Sequence, residues 1–461
     1  MTAVPPTPLA PTAGPAPSTV APSTVTPSTV ASSAGRLSAA GPSHAGSATI
    51  RSSGTAPRTR RGTGHATGFW FVAAAFAVAM AFSTVPTPLW PIYRSVHGYS
   101  TVIVTIAFAA YALGVVVSLF LAGHVSDWLG RRRVLLPAVL LELVAAVLFL
   151  TVPTLTGILI ARVLTGLAVG MITATATAHL AELDLAAHGG APRPRAAAIA
   201  TAANLGGLAV GPLVAGLLAS FVRAPLTAPY LVFAVLLVLA ALGVALVPET
   251  VERSAEGHAY RPQRIAVPAT ARGRYLAVGL ASFALFAVLG LFTSLAPGFL
   301  ADVGATSPAV TGLAAFAVFA AAAISQVLTS TLPVGRQLGA GLVTTALGVV
   351  ILALGVLGSS AVLFVLGGLV AGAGAGMLLK GSLATAAQLA PPTSRGEVLA
   401  GVFLAAYLGL ALPVLGLGVA SAAGVVLRVS LLGFSVLVLV LLATSAVLLR
   451  RHPAPAGPNG V

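Results

Sequence analysis

Twelve apolar runs, each long enough to cross a lipid bilayer, follow one another from Gly68 to Arg450, and no water-soluble fold buries so many. They cover approximately 68–93, 101–126, 132–151, 154–182, 196–221, 226–247, 274–299, 307–332, 337–357, 360–390, 396–424 and 427–450. A bilayer core of roughly 30 Å needs about 20 residues at about 1.5 Å each, which every run supplies. Only 7% of the 461 residues are charged and 57% are hydrophobic, too few charges for a soluble surface of this size. The expected fold class is therefore an all-α integral membrane protein with twelve transmembrane helices.

The positions of the arginines orient the chain. One side of the alternating spans collects Arg131, Arg132, Arg133, Arg193, Arg195, Arg253, Arg261, Arg264, Arg272, Arg274, Arg336, Arg395, Arg450 and Arg451; the other holds Arg94, Arg223 and Arg428. Arginine is retained on the cytoplasmic side of a membrane, so both termini are expected there, in a multi-pass protein of the inner (plasma) membrane. The net charge of +15 has the same origin. It does not indicate nucleic acid, because the cations lie between apolar runs and form no basic face with interleaved aromatics. Absence of cysteine excludes disulfides, thiol catalysis and cysteine-ligated metals.

The longest internal break, Pro248 to Gly273, is polar and basic and falls after the sixth span. It divides the membrane region into 68–247 and 274–450, with 248–273 as a cytoplasmic linker and 451–461 as a short tail. Gly130-Arg131 recurs as Gly335-Arg336, and the glycine pattern around Gly166 and Gly170 recurs around Gly368 and Gly372, as expected of a duplicated unit. Residues 1–67 are rich in Pro, Ala, Ser, Thr and Gly and repeat the unit Pro-Ser-Thr-Val at Pro17, Pro22 and Pro27. Such a segment buries too little apolar surface to offset its ordering entropy and is expected to be disordered, and it lacks the apolar core of a signal peptide.

Between the second and third runs lies Leu121 to Leu136, LAGHVSDWLGRRRVLL. Its spacing of Gly123, Asp127, Gly130 and the cations Arg131, Arg132 and Arg133 resembles the loop signature of the major facilitator superfamily, with Trp128 where the family usually has a cation. Two further segments extend the resemblance. Arg162 to Gly170, RVLTGLAVG, is similar to the helix 4 motif of its proton-coupled drug exporters, and Gly207 to Gly216, GLAVGPLVAG, to the helix 5 motif that marks exporters. The resemblance covers nearly all of 68–450. It implies two pseudo-symmetric six-helix halves around a cavity worked by alternating access. It also implies that Asp127 bridges to the start of helix 11, at Arg395-Gly396-Glu397, when the inner gate is closed, and that Arg162 moves protons or binds charge. In physical terms, Gly207, Gly211 and Gly216 permit close helix approach, and Pro212 frees a carbonyl and permits bending.

Four ionisable features remain. Arg162 lies about nine residues inside its span, where a lone cation requires a watery cavity or a carboxylate. Glu142 and Arg162 each lie about ten residues from the turn at Val152 and Pro153, so they share a depth and are expected to pair, directly or through water. The first span, Phe69 to Tyr93, holds no acid, which shifts any coupling role to Glu142; its end, rich in proline and aromatics, suits an outer interface or gate. Lys380, the chain's single lysine, either snorkels toward the interface or serves gating or an anionic substrate.

The run Gly372 to Gly376 sits inside an apolar span with no strand before it, so it is a packing surface and not a nucleotide loop. With no glycine-lysine phosphate loop, zinc-helix motif or nucleophile-base constellation, the chain is expected to be no enzyme and to need no cofactor or metal. The expected function is secondary, proton-coupled efflux of small apolar or amphipathic compounds, a multidrug antiporter acting as a monomer, with substrate, protons and lipid as its partners. Aromatics on the spans, among them Phe76, Phe82, Phe283, Phe286, Phe292 and Tyr407, face either the cavity or lipid. The alternatives are a proton-coupled or facilitative importer of a polar metabolite, which would show more polar groups converging on the cavity, and a transporter-like membrane sensor acting through its loop or tail.

Overall fold

The computed structural model describes residues 64–122, 125–189, 194–251, 271–390 and 395–453. Gly123, most of the expected linker 248–273 and all but the last residues of the expected tail 1–67 lie outside the described residues. Those last residues, from His65, already belong to the first helix.

Among the described residues, twelve helices are long and apolar enough to cross a membrane. They are α1 (His65–Thr84), α2 (Thr101–Ala122), α3 (Arg131–Thr151), α4 (Leu155–His188), α5 (Arg195–Phe221), α6 (Ala228–Leu246), α7 (Arg272–Ser294), α8 (Pro308–Leu328), α9 (Val334–Leu357), α10 (Ala361–Leu389), α11 (Arg395–Ala422) and α12 (Leu427–Arg451). The helix ends that carry Arg131, Arg195, Arg272, Arg336, Arg395 and Arg450 share one face, termed here the basic face; Arg94, Arg223 and Arg428 mark the opposite face.

Local chemistry sets several of these boundaries. α1 stops before Pro86 and Pro88, and the chain passes through a 3-10 turn at Thr87–Leu89 into a short helix, Trp90–His97, which ends at Gly98 with φ 68°. Proline starts a helix well and interrupts one badly, so the expected break at this end of the first span is present. α3 begins after Gly130, whose φ of 110° is open only to glycine and whose Cβ would lie 2.5 Å from Glu249 Oε2. The Glu249 carboxylate takes the space left by the missing side chain. It accepts the backbone N–H groups of Arg131 (2.7 Å) and Arg132 (3.2 Å), capping a helix that has no cap of its own. α5 is regular except for a π turn at Ala202–Gly206.

Within the first six helices, α4 packs on α1, α2 and α3, and α6 packs on α1 and α3. In the second six, α10 packs on α7, α8 and α9, while α12 packs on α7 and α9. The two sets meet chiefly where α5 packs on α8 and α2 on α11. Both contacts are tight toward the opposite face. A Cβ on Gly216 would lie 2.4 Å from the Pro308 carbonyl oxygen, and one on Gly418 2.1 Å from Thr105 Oγ1. Helices in lipid gain from such approach through packing alone, because lipid tails are as apolar as the helix surface.

Candidate functional site

Between the two sets of helices lies a cavity of about 580 Å³. Its end toward the opposite face is formed by Thr84, Thr87 and Trp90, all buried beneath the α5–α8 and α2–α11 contacts. Toward the basic face its lining includes Thr177, Ala181 and Ala197, which are exposed. The cavity is thus open at the basic face and sealed at the other.

The walls are mostly apolar. Aromatic rings come from both sides, Phe108 and Tyr111 on α2, Phe286 on α7 and Tyr407 on α11, the last two in edge contact with centroids 5.5 Å apart. Of the other aromatics noted in the sequence, Phe76, Phe82 and Phe292 are core residues, while Phe283 lines a separate apolar groove beside α11 and α12. Polar lining is sparse: hydroxyls such as Thr173 and Thr201, the amide of Asn204 on the π turn, and Gln326 near the basic end of α8.

Arg162 is the only charged residue among the described residues lining this cavity. Its Nη1 donates to the Ser83 carbonyl (2.9 Å) and its Nε to the Ala107 carbonyl (3.4 Å), and the guanidinium carbon stands 4.4 Å from the centre of the Tyr111 ring. Carbonyls of α1 and α2 and an aromatic face therefore hold the cation, without a carboxylate.

Glu142 and Arg162 form no direct ion pair. Glu142 is fully buried and neither of its oxygens has a hydrogen-bond partner among the described residues. It shares a stripe of α3 with Ala138, Ala145, Ala146 and Phe149, on the helix that packs against α4 and α6, whereas Arg162 points to α1 and α2. Equal depth does not imply facing directions: successive residues turn about 100° around a helix axis.

The loop cations sit at the basic face in a charged cluster. Arg131 reaches Asp127 Oδ1 (2.5 Å), Ser126 Oγ (2.7 Å) and Glu182 Oε1 (2.8 Å), and Glu182 accepts the Thr250 hydroxyl at 2.5 Å. Arg132 donates to the Val247 carbonyl (3.2 Å) and Arg133 to that of Leu129 (3.3 Å). The ends of α4 and α6 are thereby tied to the start of α3. Among the described residues Asp127 pairs within its own half and not with the start of α11. Glu182 and Glu249 are the members that the loop pattern does not reveal. The chain has only nine acids, and an acid at the basic end of a helix in so basic a region is the signal that points to them.

Arg131→Ala is expected to destabilise the protein by about 1–3 kcal/mol, chiefly through Glu182, since Asp127 is well exposed and its pair contributes little. Arg131→Lys should recover only part of this, because an ammonium cannot fork between two carboxylates and a hydroxyl. Thermal unfolding of the two variants in detergent measures the difference; equal melting temperatures for all three proteins would reject it.

The helix 5 residues occupy one junction. Gly207 and Gly211 meet α1 at Ala77 and Ala81, Gly216 meets α8, and the Pro212 carbonyl lies where a Cβ on Gly312 would be. Lys380 is half-buried near the basic end of α10 and donates to the Gln326 carbonyl at 3.3 Å, bridging α10 to α8 behind the cavity wall.

Comparison with known proteins agrees with this architecture. Residues 71–332, more than half of the chain, match the Major Facilitator Superfamily. An uncharacterized MFS-type transporter of Mycobacterium tuberculosis, found in two strains, is 38% identical over 115 residues; the match spans 24% of this chain and only 17% of the length of those relatives. Among solved structures, the POT family transporter PepTSo superposes with a TM-score of 0.66 at 11% identity, covering 84% of this chain and 98% of the other. A bacterial homolog of the human lysosomal transporter Spinster, in an inward-facing and unoccupied conformation, gives 0.61 at 16% identity (85% and 99%), and the human organic anion transporter MFSD10 gives 0.60 at 18% (83% and 99%). With the family match running from the first helix past the eighth and the fold shared along more than four-fifths of its length, the chain belongs to the Major Facilitator Superfamily, as a multi-pass membrane protein.

Proposed function

We propose that this transporter exports small amphipathic compounds across the plasma membrane in exchange for protons, with the basic face and both termini in the cytoplasm. The observation that carries the reading is the cavity: a drug-sized space with apolar and aromatic walls and few polar groups, open at the basic face and sealed at the other. On the cytoplasmic orientation that the arginines favour, this is the conformation that loads substrate from inside. The helix 5 residues support export, because Gly207, Gly211, Pro212 and Gly216 lie where α1, α5 and α8 close the outer end.

Glu142 is the proposed proton carrier. It is the acid buried at mid-depth among the described helices, and neither a cation nor a hydrogen-bond donor holds it in one state. Asp127 and the loop cations form the inner latch. In the open state Arg131 keeps Asp127 within its own half, and closure would bring the start of α11 to it.

The test is uptake of a neutral fluorescent coumarin into inverted vesicles acidified inside. Uptake should exceed that of empty vesicles, collapse with a protonophore and fall to background in Glu142→Gln. Uptake that ignores both the protonophore and the substitution would reject proton exchange. Uptake no greater than in empty vesicles would reject outward transport of this substrate class.

A further inference from the structure

We propose, resting on the reading that amphipathic compounds load into the central cavity, that the preferred substrate is an aromatic organic monoanion whose carboxylate or sulfonate is held by Arg162. A guanidinium carries five N–H donors in a planar fork. Two of those of Arg162 reach the Ser83 and Ala107 carbonyls, the second at 3.4 Å, and the remaining three have no hydrogen-bond partner among the described residues. Arg162 is 3% exposed and lines the cavity, so its guanidinium is largely shielded from water at the wall of the space that a substrate fills.

No acid balances the charge. Among the described residues lining the cavity there is neither aspartate nor glutamate, and Glu142 lies off the cavity wall, fully buried. A cation entering this space would meet the unneutralised guanidinium with nothing to offset the repulsion. An anion would supply the missing partner, and a planar carboxylate matches the fork with two parallel hydrogen bonds.

The surroundings specify the rest of the molecule. Tyr111 lies beneath the guanidinium and Phe108 beside it, with ring centres 4.4 and 5.9 Å from its carbon. Phe286 and Tyr407 contribute rings from the second six helices. An aromatic or otherwise flat apolar body attached to one anionic group satisfies both the charge and the walls, and the cavity volume of about 580 Å³ accommodates a drug-sized compound.

Three probes of one shape separate charge from fit: 9-anthracenecarboxylate, 9-anthracenemethanol and 9-(methylaminomethyl)anthracene. Their binding to the full chain in phosphatidylcholine nanodiscs is measured by fluorescence, with empty discs subtracted. The expected order of affinity is anion, then neutral alcohol, then cation, with at least roughly tenfold between the first and last. Arg162→Gln should bind the three probes without preference for the anion, and Arg162→Lys should keep part of that preference; a cooperative melting transition in detergent shows that each variant is folded. In the unaltered protein, an alcohol or amine that binds as tightly as the carboxylate overturns the inference while leaving the amphipathic cavity intact. Failure of all three to bind overturns the cavity reading and this inference with it.

Discussion

Gly216→Leu is expected to abolish transport and to leave the protein unable to seal its outer end. A single Cβ at this position would lie 2.4 Å from the Pro308 carbonyl oxygen and 3.2 Å from the Gly312 Cα, both on the facing helix. Backbone atoms cannot swing aside as a long side chain can, so α5 and α8 would have to separate. That contact is one of the two that close the cavity at the opposite face, and on the proposed cycle it must form in every turnover. Gly216→Ala should be impaired to a lesser degree. Gly339, with nothing within 4 Å of its Cβ, provides a control at which leucine is harmless. Because the chain contains no cysteine, a single Thr87→Cys reports the seal directly. Thr87 is 3% exposed at the closed end, so its thiol should react slowly with an impermeant maleimide added from outside, and quickly when Gly216→Leu is also present. Protection that is unchanged by the leucine, or transport that survives it, would show that this crossing is not the outer gate.

The spans were readable because hydropathy and length alone decide whether a helix can cross lipid, and observed ends differ from those expected by a few residues. The largest difference after the proline break that ends α1 at Thr84 is informative. α4 continues to His188, beyond the expected end near 182, because Glu182 and Asp184 lower the hydropathy without breaking the helix. Leaving the lipid and ending the helix are separate events, and only the first shows in hydropathy. The site was readable to the same depth. Arg162, Asp127 and the helix 5 glycines announce themselves as residues too costly or too small to be there by chance. Their partners do not, since these depend on how each helix is rotated about its axis. Glu142 thus stands in a stripe of α3 and not against Arg162, and Arg131 is reached by Glu182 on α4 and by Glu249 just beyond α6, both distant in sequence. The π turn that presents Asn204 to the cavity has no marker in a run of small residues.

Glu142→Met is expected to stabilise the protein while removing its coupling to protons. A carboxyl group with both oxygens buried and unpartnered lowers stability in either protonation state, because its hydration is lost and nothing replaces it. Methionine is unbranched, of similar length and flexible enough to fill the same space, so the substitution should raise stability by about 1–3 kcal/mol, read as a higher melting temperature in detergent. Glu142→Gln separates the two effects. Its amide keeps the buried polar group and so should not share the gain, yet it cannot exchange a proton, and its gradient-driven uptake should be as low as that of the methionine variant. A residue that lowers stability and is dispensable for coupling would be a packing defect; one that lowers stability and is required for coupling is the expected signature of function held against the fold. A methionine variant that melts lower than the parent would mean that Glu142 is satisfied in the working protein. One that still concentrates substrate against a gradient would move the proton to another group.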